Sequence, residues 1–173
     1  AQELTKRSDI TQWFYGAGFA EASLVSKTSD GAPRRWLVIS EAADAARELV
    51  QLLAPDSVVL ASAGRKLSTA GVSHWRFNFN EPDQYVALLQ MLEERGGAPD
   101  HVVLIPQQGR ASNDRLLARN FLHPTYLAQA LGGLSGRVQF TIVTSGLSGI
   151  DGQSVDPQRA MALGPVLVAP REI

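Results

Sequence analysis

The sequence contains no cysteine. This absence excludes disulfide bonds, thiolate nucleophiles and metal sites built on cysteine, and it is compatible with a reducing cytoplasm. An excess of charge of one sign is absent as well, since 16 basic and 17 acidic residues leave a formal net charge of −1. Such a balance provides no general attraction to nucleic acid or to an acidic membrane. We therefore expect a cytoplasmic protein that binds neither.

Long apolar stretches are also missing. No run approaches the roughly 18 to 20 residues that a membrane span requires, and residues 1–7 lack the apolar core of a secretory signal. The first residue is not Met, so we expect either an excised piece of a longer polypeptide or an incomplete chain. The 173 residues, 45% hydrophobic and 19% charged, suit one globular domain spanning residues 1–173.

After residue 33, short apolar runs alternate with amphipathic helices. The pattern predicts strands at 36–39, 57–60, 74–79, 101–105 and 137–143. It predicts helices at 42–53, 81–95 and 112–131, the last bent near Pro124, and a short helix that starts at Pro157. Strands that alternate with helices favour a parallel sheet with right-handed crossovers. The expected fold class is therefore α/β, a truncated and degenerate Rossmann-like fold of three layers over residues 34–173.

Residues 1–33 follow a different pattern. An aromatic cluster at 13–15 and further apolar residues at 19, 24 and 25 precede the first strand–helix unit. We expect this N-terminal segment to add one or two edge strands to the sheet, with 26–33 as a loop. The aromatic cluster is interpreted as packing rather than as a ligand site.

A dinucleotide site requires small residues after the first strand, so that backbone N–H groups can approach the pyrophosphate. Residues 40–45 read SEAADA, which lacks glycine and places the carboxylates of Glu41 and Asp44 where phosphate charge would lie. The GAGFAE run at 16–21 imitates the start of a dinucleotide fingerprint, but it ends in Glu21 and no convincing helix follows. We therefore expect no cofactor-binding residues and no cofactor in this chain.

Catalytic signatures are missing too. Short-chain reductases need a lysine four positions after the catalytic tyrosine, and Phe19, Leu89 and Ala130 occupy those positions after the three tyrosines. Residues 146–150, GLSGI, approach a nucleophile elbow but lack its final glycine, so we interpret them as a turn.

Metal chemistry has no sequence signal either. His74, His101 and His123 stand far apart without the spacing of a metal site. Each is interpreted as an ordinary packing or surface residue. We therefore expect no catalytic and no metal-binding residues.

Several motifs resemble, in order along the chain, the structural subdomain of ketoreductases in modular polyketide synthases. SDITQWFY at 8–15 is similar to the family's opening segment, and RWLVIS at 35–40 to its first strand. TIVTSG at 141–146, DPQRA at 156–160, LGPV at 163–166 and PRE at 170–172 are similar to its closing signature. EPDQY at 81–85 and PDHVV at 99–103 fall at the expected places between them. The resemblance covers nearly the whole chain.

Two departures leave the subfamily open. The family's opening segment usually continues with proline and a second tryptophan, where this chain has AGF at 17–19. An aromatic residue often follows the third strand of the family, and here IPQQ stands at 105–108.

The resemblance implies that the enzyme has two halves with different roles. Such ketoreductases consist of two Rossmann-like halves, of which the first binds no cofactor and supports the second. The second half binds NADPH and reduces a β-keto thioester carried by an acyl carrier protein. In some modules the first half belongs to an inactive pseudo-ketoreductase. We therefore expect a non-catalytic fragment of a multifunctional enzyme, with an exposed apolar patch that docks the catalytic half or an adjacent synthase domain. The alternatives are a small self-contained nucleotide-binding oxidoreductase or hydrolase, and a stand-alone docking or regulatory domain.

Overall fold

A computed structural model describes residues 33–53, 57–107, 109, 111–147 and 155–172. The strands are β1 Arg35–Ser40, β2 Ser57–Ala63, β3 Ser68–Gly71, β4 His74–Phe77, β5 His101–Ile105 and β6 Gln139–Ile142. The helices are α1 Ala43–Leu52, α2 Pro82–Gly96, α3 Asn113–Leu117, a π-helical turn Ala118–Leu122, α4 His123–Leu131, α5 Pro157–Ala160 and α6 Leu163–Glu172. The predictions on residues 1–32 lie outside the described residues.

The described strands form one sheet in the order β3-β4-β2-β1-β5-β6. Every neighbouring pair is parallel except β3 and β4. From β1 at the centre of the sheet, the described chain runs outward through β2 to the edge strand β3 and back to β4, and then crosses to the other side of β1 through β5 and β6. This order is the Rossmann arrangement, with its topological switch point between β1 and β5. The predicted α/β class and the mostly parallel sheet are confirmed.

The central strand explains how the layers form. Leu37, Val38 and Ile39 are all fully buried, as expected for a parallel strand covered on both faces. Leu37 and Ile39 belong to the main core cluster, whereas Val38 points to the other face of the sheet.

Helices cover both faces. The buried residues of α2 recur at helical spacing, which turns one face of that helix toward the core: Tyr85, Leu88, Leu89 and Leu92. Helix α4 packs beside α2, and α1 packs on β1 and β2.

Strand β3 was not predicted. Its four residues, STAG, are all exposed, so they show neither apolar alternation nor β-branched enrichment. The strand lies in the connection between β2 and β4, where a Rossmann crossover ordinarily carries a helix. Here β2 and β4 are parallel neighbours linked through an antiparallel edge strand instead. The crossover is therefore truncated at this point.

The predicted helix 112–131 is present with one irregularity. A π-helical turn, Ala118–Leu122, separates α3 from α4, and Pro124 lies in the first turn of α4. Proline has no N–H to donate to the carbonyl group of Asn120, four residues earlier. The wider turn therefore falls where the regular helical hydrogen bond cannot form.

The last predicted helix begins at Pro157 as expected, and Asp156 caps it by accepting a 3.0 Å hydrogen bond from the N–H of Gln158. In the described part of the chain, none of the helices has the length and apolar character needed to cross a membrane.

Candidate functional site

The cleft that a Rossmann fold uses for ligands lies at the carboxyl ends of the parallel strands. In this chain a cleft of about 270 Å³ lies at the ends of β1, β2 and β4, beside α3 and the π-helical turn. Its lining consists of Glu41, Ala63, Gly64, Asn78, Phe79, Asn80, Arg115, Ala118, Arg119 and His123. The lining is thus largely polar, and it includes charged groups of both signs.

One ion pair crosses the cleft. Glu41 directly follows β1, and its Oε1 and Oε2 accept hydrogen bonds of 3.0 and 2.9 Å from Nε of Arg119. The side chains of Arg119 and Glu41 are only 13% and 15% exposed. Nη2 of Arg119 also donates a 2.7 Å hydrogen bond to Oε1 of Gln107, which lies two residues beyond β5. Arg119 therefore connects the ends of β1 and β5, the two strands at the switch point.

A histidine extends this network toward β4. His123 is buried, and its Nε2 lies 3.2 Å from Oδ1 of Asn80. Its Nδ1 lies 3.7 Å from Oε1 of Glu41, too far for a good hydrogen bond. Glu41, Arg119, Gln107, His123 and Asn80 together form what we call the Glu41 network.

Burial sets the charge states in the Glu41 network. Burial, with the nearby charge of Arg119, lowers the pKa of His123 to about 4. Burial also raises the pKa of Glu41, and the positive charges of Arg119 and Arg115 oppose that rise. At neutral pH His123 is therefore uncharged, and its 3.7 Å approach to Glu41 is not an ion pair. Arg119 provides the main compensation for the partly buried carboxylate of Glu41.

The β1–α1 connection explains the direction of Glu41. The hydroxyl of Ser40 donates a 2.9 Å hydrogen bond to the carbonyl of Ala42, which holds the short connection in place. A pyrophosphate at this edge would meet the Glu41 carboxylate, and the like charges would repel each other. An anionic ligand would also have to displace Glu41 from Arg119.

Asp44 carries the second carboxylate that the sequence places near a phosphate, and it behaves differently. The side chain of Asp44 is 85% exposed and accepts a 2.7 Å hydrogen bond from Arg47 within α1. Of the two carboxylates that the sequence places near a phosphate, only Glu41 lines the cleft.

The three histidines occupy separate environments. Nε2 of His74 lies 2.7 Å from the hydroxyl of Ser62, and the ring of His101 stacks on Trp36 at a centroid distance of 4.3 Å. Within the described residues, no group of three histidine or acidic side chains could hold a metal ion. His123 is a cleft residue, and the sequence analysis missed that role. The four-residue spacing of Arg119 and His123 on one helix is the signal that could have revealed it.

Tyr85 resembles a catalytic tyrosine only in residue type. It is fully buried, and its hydroxyl donates a 3.0 Å hydrogen bond to the carbonyl of Phe79. Burial raises its pKa far above the ordinary value. Gly146 has a φ of +73°, as expected for a turn, whereas residues 148–150 lie outside the described ranges.

A second surface feature lies on the neighbouring helices. Leu117 and Phe121 are 42% and 40% exposed, and Leu163 and Leu167 are 40% and 64% exposed. A Cβ atom added at Gly164 would contact the Phe121 ring at 3.7 Å, so the two helices meet closely there. We call these four side chains the helical apolar patch. The sequence predicts an exposed apolar patch that docks another domain, and the docking role of these side chains stays a prediction.

No protein-family model and no curated protein matches the sequence. Solved structures match the fold. One is a multidomain structure with adenylation, ketoreductase and pseudo-Asub regions from a keto acid-selecting NRPS module. It matches with a TM-score of 0.70 and 14% identity, and the match covers 87% of this chain and 13% of that one. Another is an N-terminal ketoreductase from the macrolactin assembly line, with a TM-score of 0.57 at 16% identity over 68% of this chain and 26% of the other.

Shorter proteins share the fold too. A short-chain dehydrogenase from Mycobacterium smegmatis matches with a TM-score of 0.57 and 17% identity, over 86% of this chain and 73% of its own. The chain thus spans 13% and 26% of the two ketoreductase-containing structures. It has the Rossmann-like fold of the short-chain dehydrogenases, the fold also found in ketoreductase-containing structures of modular synthases.

Proposed function

We propose that this chain is the non-catalytic, structural half of a ketoreductase, or of a pseudo-ketoreductase, in a modular polyketide synthase. In this role it supports an NADPH-dependent catalytic half, or a neighbouring domain of the same polypeptide, in a cytoplasmic module. The acyl carrier protein would be a partner of the whole module. The ordered motifs along the sequence and the fold of the ketoreductase-containing structures support this assignment.

The Glu41–Arg119 ion pair is the observation that carries the proposal. It places an acidic side chain at the edge where a Rossmann fold accepts a nucleotide, and it engages the arginine that could otherwise bind phosphate. Opening the cleft to NADPH would leave a poorly hydrated carboxylate without its partner, which is costly. In this proposal the chain keeps the fold, and the Glu41–Arg119 ion pair lies at the edge of the cleft where a cofactor's phosphates would bind.

The helical apolar patch supports the docking role. Four large apolar side chains, on α3, the π-helical turn and α6, are 40 to 64% exposed. Apolar patches on soluble domains commonly mark interaction sites, because burying them removes apolar area from water. We assign this patch to the contact with the NADPH-binding half.

An NADPH titration of the purified chain, followed by calorimetry, tests the proposal. We expect no saturable heat up to millimolar nucleotide, whereas a dissociation constant in the micromolar range would contradict it. The main alternative, a self-contained nucleotide-binding oxidoreductase, requires such binding. The gene sequence beyond residue 173 distinguishes the proposed ketoreductase half from the other alternative, a stand-alone docking domain. A glycine-rich loop followed by Tyr-x-x-x-Lys in that sequence would support the ketoreductase half.

A further inference from the structure

Arg119 in the Glu41 network is placed to bind a carboxylate. Its Nε donates hydrogen bonds to both oxygens of Glu41, and its Nη2 donates a 2.7 Å hydrogen bond to Oε1 of Gln107. Arg115 adds a second positive charge nearby. Charge-assisted hydrogen bonds of this kind are strong where the groups are shielded from water, as Arg119 is at 13% exposure.

The anion in this arrangement belongs to the chain itself. Both oxygens of Glu41 lie within 3.0 Å of Nε of Arg119, and the carboxylate reaches the cleft from the connection that normally holds a ligand's phosphate. A cleft of about 270 Å³ adjoins the pair. We propose that Arg119 and its neighbours form a carboxylate-binding site whose occupant is the side chain of Glu41, an internal ligand that external small carboxylates replace when it is removed.

The chemistry of Glu41→Ala makes this inference testable. The substitution deletes one methylene group and the carboxylate, and those atoms correspond to acetate. The vacancy left in front of Arg119 should therefore accept acetate or formate, and a ligand that binds only the folded state stabilises it. This inference rests on the proposed function, in which the Glu41 side chain, and not a nucleotide, occupies the cleft of the intact chain.

The experiment measures the melting temperature of the intact chain, of Glu41→Ala and of Glu41→Ala/Arg119→Met in sodium acetate, with sodium chloride at equal ionic strength as the control. We expect Glu41→Ala to melt lower than the intact chain and to regain stability saturably in acetate but not in chloride. The double variant and the intact chain should show no acetate-specific rise. An equal response to both salts, a rise without saturation, or an equal response of the double variant would overturn the inference.

A second measurement covers the case in which Glu41→Ala does not fold. Glu41→Gln preserves the size of the side chain and removes only its charge. We expect the NMR resonance of the Arg119 Nε–H group to shift upfield in this variant, because the charge-assisted hydrogen bond is lost. An unchanged resonance would overturn the inference. NADPH binding by the intact chain would contradict the proposed function whatever acetate does, whereas failure of acetate rescue contradicts the internal-ligand inference alone.

Discussion

The hydroxyl of Tyr85 donates a 3.0 Å hydrogen bond to the carbonyl of Phe79, and this bond ties α2 to the segment that follows β4. Tyr85 is fully buried, and its ring meets Phe77 edge to face at a centroid distance of 4.8 Å. The same segment carries Asn80, which contacts His123 in the cleft. The tyrosine thus fixes one wall of the Glu41 network and has a structural role.

Replacing Tyr85 by phenylalanine should destabilise the chain by about 1 to 2 kcal/mol, because the carbonyl of Phe79 loses its buried partner. Chemical denaturation in urea measures the loss. Tyr126→Phe is the matched control, since Tyr126 is half-buried at a ring distance of 6.2 Å from Tyr85, and it should change stability less. Equal losses in the two variants would show that the Tyr85 hydroxyl has no special role.

Arg119→Met should destabilise the chain strongly, by about 2 to 4 kcal/mol, because it leaves the carboxylate of Glu41 without its charged partner. Combining it with Glu41→Gln should recover part of that loss, since the uncompensated charge is then gone. The urea unfolding free energies of the intact chain, both single variants and the double variant form a thermodynamic cycle.

Arg35→Met provides the comparison for that cycle. Arg35 pairs with Asp100 at 3.1 Å, but their side chains are 46% and 42% exposed. Water screens such a pair, so the substitution should have a much smaller effect than Arg119→Met. Similar effects at both arginines, or additive energies in the cycle, would contradict the special position of Arg119.

The parts of the fold that the sequence predicts are those with a local cause. Strand β5 reads HVVLI because it is buried on both faces, and α2 shows proline at its start and apolar residues at helical spacing. Strand β3 has no such signal, since four small exposed residues pair only because β4 lies beside them. Propensity and periodicity do not report pairing of that kind.

The same reasoning separates the two halves of the candidate site. The sequence alone predicts that the Glu41 carboxylate opposes a phosphate at this edge, because Glu41 directly follows β1 along the chain. Its partner Arg119 lies 78 residues away and reaches Glu41 only because β1 and the helix after β5 meet at one edge of the sheet. Burial then decides that His123 stays neutral, and burial is a property of the folded chain.

The buried, neutral His123 should make stability fall in acid. Its pKa is about 4 in the folded chain against an ordinary value of 6.5. Between these values the unfolded chain binds a proton that the folded chain does not, so stability decreases as pH falls from 6.5 to 4. The decrease from this group approaches about 3 kcal/mol at the lower limit.

Glu41 acts in the opposite direction over part of that range, because its raised pKa lets the folded chain take up a proton as pH falls. Arg119 is the charged group that faces both of them. His123→Gln removes only the histidine contribution, so the difference between its unfolding free energy and that of the intact chain isolates it. We expect this difference to change between pH 6.5 and 4; a pH-independent difference would show that His123 titrates normally.

The helical apolar patch should matter for association and not for folding. Phe121→Glu and Leu167→Glu place a charge on side chains that are 40% and 64% exposed, so the melting temperature should change little. In the proposed assembly the same charges would be buried against the NADPH-binding half, where an unpaired carboxylate is costly.

Val72→Glu is the control, because Val72 is fully exposed in the turn after β3, away from the patch. In the proposed full-length module, the patch variants should lower NADPH-dependent reduction. If that module is reductively inactive, they should instead loosen the neighbouring domain, which limited proteolysis would reveal. The Val72 variant should behave like the intact module, and equal effects of all three substitutions would remove the patch as the docking surface.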